Sequence, residues 1–396
     1  MERRQDTTRL YSVMQGLYWM IFCAYIGFAT VYLLSQGRSA SDIGILIAVS
    51  NITGALLQPV AAELSDRTER LSLSQMVMLL AGAGALVSFV LLKTDGFLTI
   101  ILYGALVALV HVIMPLMNAL GMAYNNDGQC CNFGLARAMG SLGFAVISYV
   151  LGILVDRYGA WTIPITAGGL FLLLALVMAL GQEPLWGDRD PTPVQGIRKG
   201  SSVMALMTGY SGFLYVLAGV FLIYGFHNIT NIYLIQIMET VGGSAREMGI
   251  TIGLAAVLEL PAMIFFTRIH KKLGSAGVLK LASVFWVVKS LGYLLAGRVG
   301  HIYATQLFQA LAFAPFTPGV VYYTDELMAD RDKVRGQAYM ATANTLGGVL
   351  GSLSGGFFLD LSGVRTMILF GVGLAVTGAM AVIRGVRGRR SQAPAI

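Results

Sequence analysis

Long apolar stretches separated by short polar breaks run through almost the whole chain. Twelve stretches of roughly 20 residues can be delimited, each long enough to cross a bilayer core of about 30 Å as a helix. They cover residues 11–35, 43–62, 72–92, 97–120, 136–155, 160–181, 205–236, 247–267, 276–296, 301–323, 338–358 and 365–384. Only helices and closed barrels satisfy their backbone in lipid, and continuous apolar runs of this length are helices. The pattern therefore predicts an all-α membrane protein with twelve transmembrane helices, spans 1 to 12.

The composition agrees with this prediction and excludes a soluble domain. Hydrophobic residues make up 56% of the 396 residues, charged residues 12%, and the mean hydropathy is +0.72. A soluble protein has about a quarter of its residues charged. Span 1 follows a polar, basic start without a small-residue cleavage site, so we expect a retained helix and not a signal peptide.

Two sequence blocks occur twice at nearly the same offset. GRSASDIGI (Gly37 to Ile45) returns 205 residues later as GGSAREMGI (Gly242 to Ile250), and GILVDRYG (Gly152 to Gly159) returns 204 residues later as GFFLDLSG (Gly356 to Gly363). Such a repeat indicates a duplicated half, and duplicated halves in an apolar chain are typical of secondary transporters. We therefore predict two pseudo-symmetric six-helix bundles.

The polar segments give the predicted domain boundaries. An N-terminal bundle covers 1–182, and a C-terminal bundle covers 205–385. Between them, 183–204 is rich in proline, glycine and charge, which indicates a cytoplasmic linker. Residues 386–396 form a basic cytoplasmic tail.

The distribution of basic residues predicts the orientation in the membrane. With the N-terminus inside, nineteen of the 27 lysines and arginines fall in inside segments and six in outside loops. Both termini are therefore expected in the cytoplasm of a cell whose plasma or inner membrane holds the chain. Because these charges lie at helix ends facing anionic lipid, we do not expect nucleic acid as a partner.

No metal or cofactor site is predicted. The three cysteines, two of them adjacent as Cys130–Cys131, lack metal or disulfide spacing. No GxxxxGK[ST] loop for ATP is present. Paired acids and nucleophile–base motifs are also missing from the predicted helices, so we do not expect an enzyme.

Four segments carry recognisable motifs, namely Gln58 to Leu71, Phe133 to Gly143, Leu258 to Phe266 and Arg335 to Gly356. Together they resemble the major facilitator superfamily, and within it the lactose-permease-like oligosaccharide and nucleoside proton symporters. QPVAAELSDRTERL (Gln58 to Leu71) resembles the loop between helices 2 and 3, although Ala62 and Glu69 stand where glycines are usual. FGLARAMGSLG (Phe133 to Gly143) is similar to the start of helix 5. LELPAMIFF (Leu258 to Phe266) and RGQAYMATANTLGGVLGSLSGG (Arg335 to Gly356) resemble the broader symporter group.

The resemblance implies a fold, a function and some residue roles. It implies a transporter that works by alternating access, and we expect the protein to function as a monomer. Arg137 falls on the arginine that binds sugar, although its position near the end of span 5 also suits an interfacial anchor. Lys289 falls on a helix 9 arginine of the proton site. Asp66 and Arg67 match the family's gate on the cytoplasmic side. The alternative is that their charges only set the orientation of the chain in the membrane. We also assign Asp42 and Glu247, the acids of the first repeated block, to gating.

Two charges lie near the middle of predicted spans, where an unpaired charge is costly. Glu259 is in span 8 and Lys289 in span 9, which are antiparallel neighbours, so their side chains can meet. We interpret them as a proton-coupling pair, with His227 as a helper. A fixed ion pair that only joins the two helices is the alternative. In lactose permeases, helix 10 carries a Lys/His/Glu cluster that includes the proton-binding carboxylate. The matching segment here, Gln306 to Phe316, holds no ionisable group. Facilitated diffusion without proton coupling therefore also stays open.

Span 7 carries a polar stripe on one helical face. Tyr224, His227, Asn228 and Asn231 have the spacing i, i+3, i+4 and i+7. Such groups face a water-filled cavity more readily than lipid. Further substrate candidates are the polar or aromatic residues of other spans. They are Trp19, Asn118, Gln309, Tyr322 and Asn344. The alternative for each is a helix–helix hydrogen bond.

Amides, hydroxyls and aromatic rings with few charges suit a neutral sugar or a nucleoside-like solute. We therefore predict a transporter of such a solute, with proton symport. A drug or metabolite exporter of the same fold is the alternative, which the 19 methionines and 19 phenylalanines support and the absence of an acid inside spans 1 and 4 opposes. A membrane receptor would be expected to carry a long soluble signalling segment, and the sequence shows none.

Overall fold

The computed structural model describes residues 7–67, 72–126, 133–181 and 210–387, and within these ranges all regular structure is helical. The first helices are α1 (Thr8–Phe22), a π-helical turn (Cys23–Gly27), α2 (Ala29–Ser35), α3 (Ala40–Arg67), α4 (Leu73–Leu91), α5 (Phe97–Asn126), α6 (Phe133–Tyr158) and α7 (Thr162–Leu180). They are followed by α8 (Ser211–Ile232), α9 (Leu234–Thr240), α10 (Ala245–Ile264), α11 (Phe266–Leu294), α12 (Val299–Gln306), a 3₁₀ turn (Leu307–Ala310), α13 (Phe313–Leu327), α14 (Asp330–Ser362) and α15 (Val364–Arg387).

These helices form two compact units. Unit 1 contains α1 to α7 together with the start of α10, Ser244–Val257, and unit 2 contains the remaining helices from α8 onwards. The predicted linker 183–204 lies outside the described residues, as do 388–396 of the predicted tail and the Cys130–Cys131 pair.

Four helix pairings of unit 1 recur in unit 2 between the repeat-related helices. In unit 1, α1 packs against α6 and α7, and α4 packs against α5 and α7. In unit 2, α8 packs against α14 and α15, and α11 packs against α13 and α15. Since α8 corresponds to α1 and α11 to α4 at the offset of the sequence repeat, the same arrangement was built twice.

The first repeated block is a helix-capping turn. Gly37 and Gly242 have φ of +72° and +78°, a conformation that glycine adopts without a steric penalty. The helix that follows begins with a serine cap. The Asp42 amide donates to Ser39 Oγ at 3.1 Å, and the Ser244 amide donates to Glu247 Oε2 at 2.9 Å.

The second repeated block also ends a helix. The amide of Gly159 donates to the carbonyl of Val155 at 2.8 Å, and the amide of Gly363 donates to that of Leu359 at 2.9 Å. Both glycines again have positive φ, +100° and +81°. The repeats are therefore turns whose chemistry is local to the chain.

Glycines also allow close helix packing in unit 2. A Cβ atom at Gly347 of α14 would lie 2.4 Å from the carbonyl oxygen of Phe221, and one at Gly351 would lie 2.3 Å from that of Gly225. Any larger residue would force α14 away from α8. The glycines of the GGVLGSLSGG segment (Gly347 to Gly356) thus allow α14 to approach α8 closely.

Among the described residues, ten helices are long and apolar enough to span a membrane, and they coincide with predicted spans 1 to 9 and 12. Span 10 is divided into α12, the 3₁₀ turn and α13, so no single piece has the necessary length. Span 11 is continuous within α14, but its glycines, serines and threonines lower its hydropathy. The two remaining spans are thus broken or polar, as expected for helices that line a polar path.

Candidate functional site

The two mid-span charges of unit 2 are connected through one amide. Gln309 Nε2 donates to Glu259 Oε1 at 2.6 Å, and Lys289 Nζ donates to Gln309 Oε1. Lys289 is 2% exposed and Gln309 is 4% exposed. An ammonium group has only donors, so the amide oxygen must face Lys289 and the amide nitrogen must face Glu259. The sequence placed Gln309 among the substrate candidates and did not anticipate this bridge.

The break in span 10 places Gln309 between the two charges. The residue lies in the 3₁₀ turn between α12 and α13. Pro315 sits in the first turn of α13, where a missing backbone N–H is tolerated, and Pro318 follows inside the helix. Short 3₁₀ segments inside longer helices often mark functional positions. Discontinuous spans near the middle of the membrane are also typical of transporter binding sites.

The polar stripe of α8 faces an aromatic group in the same unit. The His227 ring stacks on Phe313, with centroids 4.8 Å apart, and meets Trp286 edge-on at 5.3 Å. Exposed Asn231 places Nδ2 3.0 Å from His227 Nε2. Tyr224 lies 5.9 Å from the same imidazole ring, again edge-on. His227 is therefore held by aromatic rings on three sides.

The other two stripe residues bind to protein groups. The Tyr224 hydroxyl lies 3.1 Å from Thr317 Oγ1, and Asn228 Nδ2 donates to the carbonyl of Tyr224 at 3.0 Å. Asn228 keeps its amide beside Gly348 of α14. The predicted stripe is therefore one continuous polar face, and the structure brings its four members together.

Trp286 of α11 connects the aromatic group with the charged residues and was missed by the sequence analysis. Its ring is fully buried and lies 5.4 Å from Lys289 Nζ. Its Nε1 has no hydrogen-bond partner among the described residues, and neither has Ser283 Oγ. Ser283, Trp286 and Lys289 are spaced three residues apart, which puts them on one face of α11. This spacing is the sequence signal that would have indicated Trp286 as a neighbour of Lys289.

A second group of candidates meets in unit 1. The Arg137 guanidinium lies 4.0 Å from the centre of the Trp19 ring, and Trp19 Nε1 donates to Gln15 Oε1 at 3.1 Å. Gln15 Nε2 in turn donates to the Tyr11 hydroxyl at 2.6 Å. A Cβ atom at Gly140 would lie 2.5 Å from the Trp19 ring, so glycine is needed there for the ring to approach α6. Arg137 and Trp19 thus form a joint surface of a planar cation and an indole.

The remaining substrate candidates lie on α5, α13 and α14. Asn118 on α5 and Asn344 on α14 are exposed. Tyr322 packs against Phe266 and His270, with ring centroids 5.3 Å and 4.6 Å away. His270 lies 3.0 Å from Glu326. Tyr322 therefore belongs to a separate cluster near the end of α13.

The predicted gate residues fall at helix ends. Asp42 and Glu247 take part in the serine caps described above, which gives each a structural role at the start of α3 and α10. Asp66 and Arg67 are the last two residues of α3, and their side chains lie outside the described part of the structure.

Helices long and apolar enough to span a membrane, broken spans and buried polar groups at mid-helix define a multi-pass membrane transporter. The chain matches the MFS_1 like family over residues 11–370 and belongs to that family of the major facilitator superfamily. Its members are transporters and not enzymes.

Individual relatives and structures agree with this assignment. The maltose permease of Geobacillus stearothermophilus is 26% identical over 381 residues, covering 94% of this chain and 93% of the relative. The quinolone resistance protein NorA of Staphylococcus aureus is 19% identical over 377 residues, covering 93% and 95%. A crystal structure of a variant of the nucleoside transporter NupG superposes with a TM-score of 0.83 at 14% identity, covering 96% of this chain and all of that chain. The major facilitator fold with two six-helix bundles is confirmed by this match.

Proposed function

We propose that this protein is a secondary active transporter that moves a small neutral solute, a sugar or a nucleoside, together with protons. The Glu259–Gln309–Lys289 connection carries the proposal. An acid and a cation near the middle of a membrane are costly unless they have a function or a fixed partner. Here they are joined by a neutral amide, which a competing polar group can displace.

The proposed coupling uses the acid as the proton carrier. Glu259 accepts the hydrogen bond from Gln309 in its ionised state. Protonation removes the negative charge of Glu259 and weakens the charge-assisted hydrogen bond that Gln309 donates to it. A substrate hydroxyl, which both donates and accepts, can then replace the amide next to Lys289. His227 supports the same site through Trp286, which contacts both residues.

The substrate class rests on the chemistry of the side chains and on the relatives. Arg137 offers a fork of donors beside Trp19, and Asn228 and Asn231 offer amides beside Tyr224. Donor forks and amides pair with hydroxyl groups, and aromatic rings stack on sugars and bases. The maltose permease and NupG carry names of these two solute classes. Alternating access between two bundles is the mechanism we infer from the family.

The test is transport by a Glu259→Gln variant reconstituted in liposomes, with radiolabelled maltose and uridine as probes. We expect the variant to exchange the transported probe across the membrane but to lose accumulation driven by a proton gradient. Glu239→Gln is the matched control, because Glu239 is an exposed glutamate of the same unit. Gradient-driven accumulation by the Glu259→Gln variant would exclude this residue as the proton carrier.

If Glu259 and Lys289 only join α10 to α11, the same experiment gives a different result. Both the exchange and the accumulation would then fall together, in proportion to the loss of folded protein. Measuring the amount of folded protein by size-exclusion chromatography separates the two cases. Normal exchange without any proton dependence in the wild type would instead indicate facilitated diffusion.

A second candidate function is export of drugs or metabolites by proton antiport. The similarity to the quinolone resistance protein NorA favours it. A thermal-shift screen of the purified protein against sugars, nucleosides and hydrophobic cations distinguishes the two functions. Stabilisation by the cations alone would support the exporter and refute the symporter.

We further propose that the protein is a monomer in a bacterial cell membrane, with both termini in the cytoplasm. The excess of basic residues in the segments assigned to the inside supports this orientation. In the same orientation Asp66 and Arg67 lie at the inside gate, and Asp42 and Glu247 lie at the outer ends of α3 and α10. A C-terminal fusion to green fluorescent protein should be fluorescent in cells, since that protein folds in the cytoplasm.

A further inference from the structure

An apolar groove lies in unit 2 between the end of α10, α11 and α13. Its volume is about 260 Å³, and all its lining residues are apolar. They include Pro261, Phe265, Ile269, Leu281, Leu311 and Pro315. Phe265, Leu281 and Leu311 are 47%, 40% and 41% exposed, so the groove is open along its side.

Breaks in the helices create this groove. Pro261 lies in the last turn of α10, and α11 begins at Phe266 after only one intervening residue. Gly274, with φ of +65°, then divides α11 into a first part of two turns and a longer second part. Ala310 and Leu311, at the end of the 3₁₀ turn before α13, complete the lining. The concave surface is thus built by specific backbone features.

Basic side chains stand at one end of the groove. Arg268, Lys271 and Lys272 are exposed on the first part of α11. The Arg268 guanidinium lies 5.2 Å from the centre of the Phe265 ring, and Phe265 lines the groove. Positive charge is therefore directly continuous with the apolar surface.

The neighbouring acids are outnumbered by the basic residues, and each is held by a partner. Glu326 Oε1 lies 3.0 Å from His270 Nε2, and its Oε2 accepts from Ser275 Oγ at 2.6 Å. Asp325 is paired with Lys333 at 3.3 Å. The charge at the mouth of the groove is thus positive, and an anionic group is its complement.

We propose that the groove binds one acyl chain of an anionic phospholipid, whose phosphate is held by Arg268 and Lys272. Drug-sized ligands occupy pockets of about 300–1,000 Å³ with a few polar groups, whereas this groove is smaller and has none. An anionic lipid matches both the apolar groove and the positive charge at its mouth, since its tail is apolar and its headgroup is negatively charged. In the orientation proposed above, the lipid belongs to the inner leaflet.

The bound lipid would act on the coupling site. Ala262 of the groove lies one turn after Glu259 on α10, and Ala310 directly follows Gln309. An acyl chain in the groove therefore supports the two backbone segments that hold the Glu259–Gln309 hydrogen bond. This lipid site is independent of which solute the protein transports.

Native mass spectrometry of the full-length protein in detergent tests the proposal. Phosphatidylglycerol and phosphatidylcholine with the same acyl chains are the probes. We expect about 25-fold more bound phosphatidylglycerol, since Arg268 and Lys272 each contribute about fivefold at an anionic surface. An Arg268→Gln/Lys272→Gln variant should lose that preference. Arg298→Gln/Arg365→Gln removes the same charge at two exposed arginines of unit 2 that lie away from the groove, and should keep the preference.

An Ala262→Phe variant tests the tail site. Filling the groove should reduce binding of both lipids at least threefold, while Ala105→Phe, at an exposed alanine of α5, should leave it unchanged. Equal binding of the two lipids by the wild type would refute the headgroup site. Unchanged binding by the Ala262→Phe variant would refute the groove. The Arg268→Gln/Lys272→Gln variant alters only exposed side chains, so the test is decisive even if Ala262→Phe fails to fold.

Discussion

Removing the Gln309 amide should strongly destabilise unit 2. In a Gln309→Leu variant the Lys289 ammonium, 2% exposed, loses the amide oxygen to which it donates. A buried charge that has lost its partner costs about 3–5 kcal/mol. The loss of the Glu259 hydrogen bond adds to this cost. We therefore expect a destabilisation of about 3 kcal/mol or more.

A double-mutant cycle isolates the interaction. Lys289→Met removes the charge and leaves a buried amide oxygen without its donor, at a cost of about 1–3 kcal/mol. The double variant Gln309→Leu/Lys289→Met has neither group, so it should be more stable than the sum of the two changes implies. We expect a coupling energy of about 1–3 kcal/mol.

The assay is thermal unfolding of the purified variants in one detergent. A change of 1 kcal/mol shifts the melting temperature by roughly 2–4 °C for a unit of this size, so Gln309→Leu should melt about 6–12 °C below the wild type. Gln337→Leu is the matched control, because the Gln337 amide donates to a neutral carbonyl at 2.8 Å. A Gln309→Leu variant within 2 °C of the wild type, or additive effects in the cycle, would show that this amide does not hold Lys289.

Three further changes test other features of the molecule. Ser244→Ala removes the cap that binds Glu247 and should cost about 0.5–2 kcal/mol, measured as a lower melting temperature. Gly249→Ala places a Cβ atom 2.2 Å from the carbonyl oxygen of Ser148, so the helices must separate, and we expect a loss of about 1–3 kcal/mol by the same measurement. Arg137→Lys keeps the charge but loses the planar group, and should weaken binding of the transported probe at least tenfold in an equilibrium binding assay.

Each of these changes has a matched control. Ser244→Asn retains a capping side chain and should melt near the wild type. Gly82→Ala adds the same methyl group where no atom lies within 4 Å, and should be neutral or slightly stabilising. For Arg137, substitution of the exposed Arg246 by lysine should leave binding unchanged. A Gly249→Ala variant as stable as Gly82→Ala would contradict the close packing described for α10.

The sequence was most informative where the physics is local. The length of apolar runs follows from bilayer thickness, and the fold follows from their number and duplication. The capping pattern of a serine followed three residues later by an acid was also visible at Ser39 and Ser244. We assigned Asp42 and Glu247 to gating, although this spacing is a known sign of a helix start. The sequence therefore contained the signal for these two helix caps.

The sequence was least informative where residues distant in the chain meet. It singled out Glu259 and Lys289 as candidate functional residues because charges inside apolar spans are rare. It also identified the α8 stripe from its spacing. Gln309, which bridges the two charges, is 50 residues from Glu259 and 20 residues from Lys289 along the chain. No local sequence pattern therefore contains this contact. Tyr322 was placed with the substrate candidates, whereas the structure packs it against His270.

By itself, the sequence determined that this chain crosses the membrane many times, that it was built by duplication and that its unusual charges lie in the second half. These properties depend on hydropathy, repeats and turn chemistry, which act between near neighbours. Only the tertiary structure decided that span 10 breaks, that an amide separates the acid from the lysine and that Trp286 joins them to His227. These contacts depend on how helices pack, and packing follows from shape complementarity across the whole unit, which no short segment specifies.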